Sequence, residues 1–364
     1  MSNTAKLIFD FPDRNPDLFY ACRFSAPDPI LFLQIGGKTF LFLNELEFDR
    51  GKKEAQVDRV LPLPELPNSF SRIAKVLKDK KIKTLEVHPL TGVDLVEKLR
   101  KSGIKMVIGK TPFFPKRLIK KPNEKKGMAA GQRTVFQAIR LAENILKKTQ
   151  IRNNKLYWKG KVLTSEILRY HISTFLLQKG FYPNNPIVAC HKDTFQPHNI
   201  CSGALRPHKP IIIDIFPRSL KTGFYGDATR TFCRGKAPDL LKRQYRAVLE
   251  AQTWGLKNIR AGIDGQKIHK GICKIFEKHG FSTKKIGGID QGFIHRTGHG
   301  LGLEIHELIR IDLTREILKP GFVVTIEPGL YYLPLGGVRI EDAVYLTKRG
   351  CEILGSYPKR FEIL

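Results

Sequence analysis

PIIIDIFPRSLKTGFYGDATRTF, residues 210–232, decides how the rest of the chain is read. Its first part is apolar and rich in isoleucine except for Asp214 in the middle, and residues 226–232 form a second strand-like stretch that carries Asp227. The turn segment RSLKTG separates them, so an antiparallel hairpin is expected to bring the two carboxylates near each other. Like charges resist such an approach unless a cation lies between them. One acid of this kind is accounted for by a salt bridge, here to Arg230 or Arg339. The end of the chain repeats the pattern, however. FVVTIEPGLYYLPLGGVRIEDAVYL, residues 322–346, reads as two strands linked by LPLGG, with Glu327 at the end of one and Glu341 inside the other. Alternation along a strand puts Arg339 and Glu341 on one face and Val338 and Ile340 on the opposite one. A buried polar group without a partner costs several kcal/mol, so these four carboxylates in two similar hairpins point to a shared cause.

A third stretch, HRTGHGLGLEIHE (residues 295–307), is glycine-rich, holds His295, His299 and His306, and has no helical period. It is not a zincin helix, because Gly298 and Gly300 flank His299 and Arg310 stands four residues past His306. Nor does it have the G-x-G-x-x-G spacing of a dinucleotide loop. Four carboxylates and one imidazole, His299, match a site for two divalent cations held about 3.5–4 Å apart by bridging carboxylates.

Composition narrows the alternatives. The chain has 364 residues, of which 41% are hydrophobic, enough for a sizeable core in two domains. The N-terminal stretch has only a short apolar patch before Asp10, so no signal-peptide core is visible. No apolar run approaches the roughly 20 residues that span a bilayer, which leads to the expectation of a cytoplasmic protein with no membrane partner. Six cysteines, scattered without a C-x-x-C, read as reduced thiols, and Cys190 beside His191 makes no nucleophilic site by sequence adjacency alone. The net charge of +29, concentrated in KVLKDKKIK (75–83) and KRLIKKPNEKK (116–126), attracts polyanions non-specifically. No zinc-finger, RNP-like or basic-zipper pattern accompanies it, so nucleic acid is expected only as a weak, non-specific partner.

Residues 1–115 read as an α/β unit. PILFLQIGGKTFLFLNELE (29–47) is a hairpin around Gly36 and Gly37, followed by a helix at SRIAKVLKDK, a strand at KTLEVHP, a helix at GVDLVEKLRKSG and a strand at KMVIGK. Lysines, glycines and prolines mark residues 116–131 as a basic linker, and 132–364 form the second domain. Within it, a helix is expected over 132–148, a second one capped by Thr164 and ended by Gly180, and two more before Gly262 and Gly280.

The segments IIIDIFPRSLKTGFYGDATRTF, HRTGHGLGLEIHE, TIEPGLYY and GVRIED occur in the order found in the pita-bread metallopeptidases, peptidase family M24, which include Xaa-Pro aminopeptidase, prolidase and methionine aminopeptidase. The chain resembles that family over much of residues 195–346. The resemblance implies an α/β N-terminal creatinase-like domain, echoed in DRNPDLFYACRF and FLFLNELEFDR, followed by an α+β pita-bread catalytic domain. It implies Asp214, Asp227, His299, Glu327 and Glu341 as metal ligands, with Asp227 and Glu341 bridging. It makes His306 the residue that meets the substrate carbonyl, Glu327 the proton shuttle, and His198, His295 and Arg339 further substrate contacts. Two divalent metal ions are expected, Mn²⁺ ahead of Co²⁺, Zn²⁺ or Fe²⁺, together with a peptide substrate and a homodimer. Asp214 and Asp227 are thirteen residues apart where many members have eleven, so a longer hairpin tip is expected. The N-terminal domain and the short gap between Glu327 and Glu341 favour the Xaa-Pro aminopeptidase and prolidase branches, which release the residue before proline. A metal-free creatinase-like hydrolase and a catalytically silent pita-bread protein that binds nucleic acid or protein are the competing readings, and both are expected to have lost ligands that this chain keeps.

Overall fold

The computed structural model describes residues 4–63 and 68–364. The chain divides into two compact units, Met1–Arg117 and Leu118–Leu364. In the first, a six-stranded sheet runs in the order Arg59–Pro62, Lys38–Leu43, Ile30–Ile35, Thr4–Asp10, Thr84–Val87, Lys105–Ile108. Gly36 and Gly37, both at positive φ, turn the expected hairpin with Ile35 opposite Lys38. Side-chain alternation then builds two cores. Leu31 and Leu33 pack with Ile73, Leu77, Leu95 and Leu99 from the Asn68–Asp79 and Val93–Lys101 helices. Ile30 and Phe32 face the other way, onto Leu18, Cys22, Phe24 and Phe113.

The basic stretch 116–131, expected as a linker, is not one. A 3-10 turn over Pro115–Leu118 leads into the helix Pro122–Lys147, which absorbs it. Pro122 stands at the first turn, where its missing N–H is no loss, and Glu124 accepts the Lys121 N–H at 2.9 Å. The residue that reads as a breaker is the helix start. Gly131 lies within the same helix, and the chain passes close to it at Gly226, where an added Cβ would lie 3.3 Å from the Gly131 backbone.

Two sheets frame the second unit. One has the order Ile187–Cys190, Ile211–Ile215, Ala228–Arg234, Glu362–Ile363, and it packs with the helices Pro122–Lys147 and Ser165–Gln178. The Thr164 hydroxyl caps the second of these helices by accepting the Ile167 N–H. The other sheet has the order Glu307–Ile311, Gly298–Gly300, Val323–Ile326, Asp342–Leu346, Cys351–Ile353 and is backed by the helices Asp239–Asn258 and Gly265–Lys278. Among the apolar residues of both sheets lie the acids, the imidazole and the hydroxyls described next.

Candidate metal centre

Asp214 lies within the Ile211–Ile215 strand and Asp227 directly before Ala228–Arg234; the two strands pair antiparallel, with Asp214 opposite Thr229. The C-terminal pair departs from a simple hairpin. Each expected strand is broken at its acid: Val323–Ile326 and Gly329–Tyr332 flank Glu327, and Gly336–Arg339 and Asp342–Leu346 flank Glu341. Pro328 has no N–H for a ladder, and the Glu341 N–H donates instead to the Thr229 carbonyl at 3.1 Å. The breaks let both acids face the centre while Val338 and Ile340 stay in the core.

His299 comes from the short strand Gly298–Gly300, paired to Glu307–Ile311 on one side and to Val323–Ile326 on the other. The neighbouring glycines serve strand packing more than any approach to a ligand: a Cβ on Gly298 would sit 1.9 Å from the Thr325 carbonyl oxygen, and one on Gly300 3.0 Å from Glu307 and Ile309. One ligand atom each from Asp227, His299 and Glu341 lie within 4.8 Å of one another, all three residues buried. His299 Nε2 is 3.3 Å from Glu327 Oε1 and 3.6 Å from Asp227 Oδ2. Hydroxyls orient the acids: Thr229 Oγ1 donates to Glu341 Oε2 at 2.7 Å and Thr325 Oγ1 to Glu327 Oε1 at 3.3 Å.

Asp214 is placed differently. Its Oδ2 accepts Arg339 Nη2 at 2.7 Å, and its Oδ1 is buried with no hydrogen-bond partner. The other Arg339 donors reach Thr229 Oγ1, Tyr331 Oη and the Pro197 carbonyl. Arg339, expected to contact substrate, lines the cleft with four of its five N–H donors engaged, on Asp214, Thr229, Tyr331 and Pro197. Arg230, the other expected partner, pairs instead with Asp342 at 2.6 Å, on the face away from the centre.

The acids repel. Burial, then the charges of Glu341 and Asp214, raise the Asp227 carboxyl well above its ordinary range, and burial with the charges of Glu327 and Asp214 does the same to Glu341. Burial lifts Glu327 to about 7. Burial, then His306, pushes His299 down to about 3, which keeps its imidazole neutral and its nitrogen lone pair available. Carboxyls whose pKa is raised by folding stabilise the fold at low pH and lose that contribution as pH rises through the folded value. The histidines pushed below 6.5 act in the opposite sense up to about that pH, so it is above about pH 6.5 that metal-stripped protein is expected to melt lower as pH rises towards and past 7, with added divalent metal raising Tm more at pH 7.5 than at pH 6.5. Differential scanning calorimetry of stripped and reloaded protein checks this; a metal-induced rise that shrinks with increasing pH contradicts it.

The centre forms one wall of a cleft of about 1100 Å³. His198 and His306 are exposed on its walls, with the His306 ring edge-on to His299 at 4.3 Å between centroids. His295 is half-buried and hydrogen-bonds through Nε2 to Tyr331 Oη at 3.0 Å. All nine residues singled out in the sequence therefore face this cleft. Thr229, Thr325 and Tyr331 were missed, since hydroxyls in strands carry no pattern of their own. So was Lys120, which is buried in an ion pair with Glu307, the residue after His306; Glu307 Oε1 also accepts the Leu303 N–H at 3.2 Å.

The donor set fits divalent metal. Three buried acids with raised carboxyls, one neutral imidazole and the unpartnered Asp214 Oδ1 are costly without a cation and suit hard-to-borderline ions. Fold and site together define a metal-dependent hydrolase of the pita-bread class. The model of metallopeptidase family M24 matches residues 133–348. An Xaa-Pro dipeptidase of Pyrococcus furiosus is 28% identical over 327 residues, covering 88% of this chain and 85% of that one. The uncharacterized peptidase YqhT of Bacillus subtilis is 35% identical over 179 residues, 49% of this chain and about half, 48%, of that protein. Among solved structures, the prolidase from Pyrococcus horikoshii superposes with a TM-score of 0.83 at 25% identity, covering 98% of this chain and 95% of that one. The chain belongs to metallopeptidase family M24. No helix among the described residues is long and apolar enough to cross a membrane.

Proposed function

We propose that this chain is a dinuclear metallopeptidase that releases the N-terminal residue from Xaa-Pro peptides or dipeptides. The carrying observation is the convergence of Asp227, His299 and Glu341, with Glu327 beside them, at the wall of an open cleft; relatives named Xaa-Pro dipeptidase, which align over most of the chain, support the substrate class. Asp214, Asp227, His299, Glu327 and Glu341 would hold the ions, with Asp227 and Glu341 bridging. Bound there, two divalent ions supply Lewis acidity and make water a nucleophile near neutral pH.

The chain's own groups do the rest. His306 donates a hydrogen bond to the scissile carbonyl oxygen and steadies the charge that develops on it. Glu327 takes a proton on its carboxylate from the attacking water and hands it to the leaving proline nitrogen. His198 and His295 line the cleft on the substrate side. Arg339 lines the cleft beside them, where it fixes the Asp214 carboxylate and the Tyr331 hydroxyl.

The reading extends to manganese as the resident metal, a homodimer, a cytoplasmic location, and the compact units Met1–Arg117 and Leu118–Leu364 as the functional domains. A panel of Xaa-Pro, Xaa-Pro-Xaa and Xaa-Ala peptides offered to Mn²⁺-loaded protein, followed by mass spectrometry, tests the specificity. Release of the first residue from the proline peptides alone is expected, and equal cleavage of the alanine peptides overturns the proline assignment.

A further inference from the structure

The net charge of +29 is not explained by the metal centre, which is acidic. Among the described residues eight carboxylates are buried against four lysines and arginines, so the outside is more positive than that total. The lysines of 116–126 are partly engaged, Lys120 with Glu307 and Lys125 with Glu352. The helix Gly265–Lys278 is arranged differently. Lys267, Lys270, Lys274 and Lys278 recur at intervals of three and four residues, which aligns them in one stripe about 16 Å long. All four are exposed, and none makes an ion pair among the described residues. On the helix Asp239–Asn258, Arg243, Arg246 and Lys257 form a second exposed row without ion pairs among the described residues. Arg246 and Lys257 flank a shallow depression that Trp254 also lines. The two helices pack antiparallel, because Gly271 leaves room for the Trp254 ring and His279 Nε2 stands 2.8 Å from Glu250 Oε2. The acids beside the rows are Glu250, held by His279, and Glu277.

We propose that this helix pair binds double-stranded nucleic acid along its phosphate backbone. The inference stands apart from the peptidase reading. Packed helices run about 8–10 Å axis to axis, so the two rows are spaced on the scale of a duplex groove, about 12 Å for the major groove of B-DNA, and each row follows one strand. About 16 Å of duplex carries roughly nine phosphates at one per ~1.7 Å, enough to meet every cation of the two rows. Phosphate contacts fix position without reading bases, so binding is indifferent to sequence. The face lacks what other anionic partners use. Trp254 is packed on Gly271 rather than presented as a stacking platform for single strands. No large apolar side chain of Gly265–Lys278 is exposed to enter a bilayer interface. The opposite side of that helix carries His269, which is buried and lines the cleft, so the lysine stripe faces away from the cleft.

The test follows the fluorescence anisotropy of short labelled DNA and RNA duplexes, each in two unrelated sequences, beside the matching single strands, with co-sedimentation on phosphatidylserine vesicles. The native chain is expected to bind unrelated sequences alike, with affinity falling about 1000-fold between roughly 50 and 200 mM salt. Lys267→Gln/Lys270→Gln/Lys274→Gln is expected to weaken duplex binding at least about 10-fold and to reduce the slope of log K against log salt by about three, one per lysine. Lys116→Gln/Lys121→Gln/Lys126→Gln removes the same charge from exposed positions elsewhere and is expected to change affinity by less than about threefold. Lys267→Arg/Lys270→Arg/Lys274→Arg is expected to keep the native slope, and melting curves check that each variant is folded. Binding of either duplex, or of both, supports the proposal and names the source of the phosphates. Equal losses in the two glutamine variants mean diffuse charge and overturn the site. Tighter binding of single strands, or binding of vesicles without binding of duplex, overturns the duplex assignment.

Discussion

Glu341→Ala is expected to lower bound metal and to cut hydrolysis by at least about 1000-fold, because on the proposed assignment it removes a ligand that both ions would share. The effect on the stripped protein runs the other way. Glu341 is buried and repelled by Glu327 and Asp214, which the Arg339 charge and the Thr229 hydroxyl offset only in part, so its removal relieves repulsion when no cation is present. The variant is therefore expected to melt no lower than native protein when both are stripped, and lower when both are loaded. Metal analysis, a single-substrate assay and paired melting curves check this. A variant with full metal content and native turnover contradicts the ligand assignment.

Lys120→Met is expected to cause the largest loss of stability. The Lys120 and Glu307 side chains are both fully buried in their ion pair. Removing one partner from such a pair costs about 3–5 kcal/mol, since the remaining charge has no compensation. At roughly 2–4 °C per kcal/mol for a domain of this size, Tm falls by roughly 6–20 °C. Glu307 adjoins His306 and closes the loop onto the Leu303 N–H, so turnover is expected to fall as well. The double variant Lys120→Met/Glu307→Gln keeps an acceptor for Leu303 without the orphaned charge, and is expected to recover much of the lost Tm. Additive losses in the double variant contradict the ion-pair account.

The site was legible because ionisable residues in apolar strands break a pattern that burial otherwise enforces. Asp214 among four isoleucines and Glu341 after Ile340 are conspicuous for that reason. Partners across long sequence distances were not legible. Nothing local says that Arg230 turns to Asp342 rather than to the neighbouring acids, or that Lys120 reaches Glu307, 187 residues away. The helix start at Pro122 was hidden because proline opens helices as readily as it ends them, and the surrounding lysines and glycines blurred the period. The two broken strands at Glu327 and Glu341 were read as continuous, since only the pairing with Thr229 and the missing proline N–H show why the ladder stops there.

The most direct measurement of the central claim strips the protein of metal, restores Mn²⁺, Co²⁺ or Zn²⁺ separately, and counts bound ions while following cleavage of an Xaa-Pro dipeptide. About two ions per chain, with hydrolysis present only after restoration, is the predicted result. Undiminished hydrolysis by the stripped protein, or a chain that takes up no ion at this centre, would contradict it.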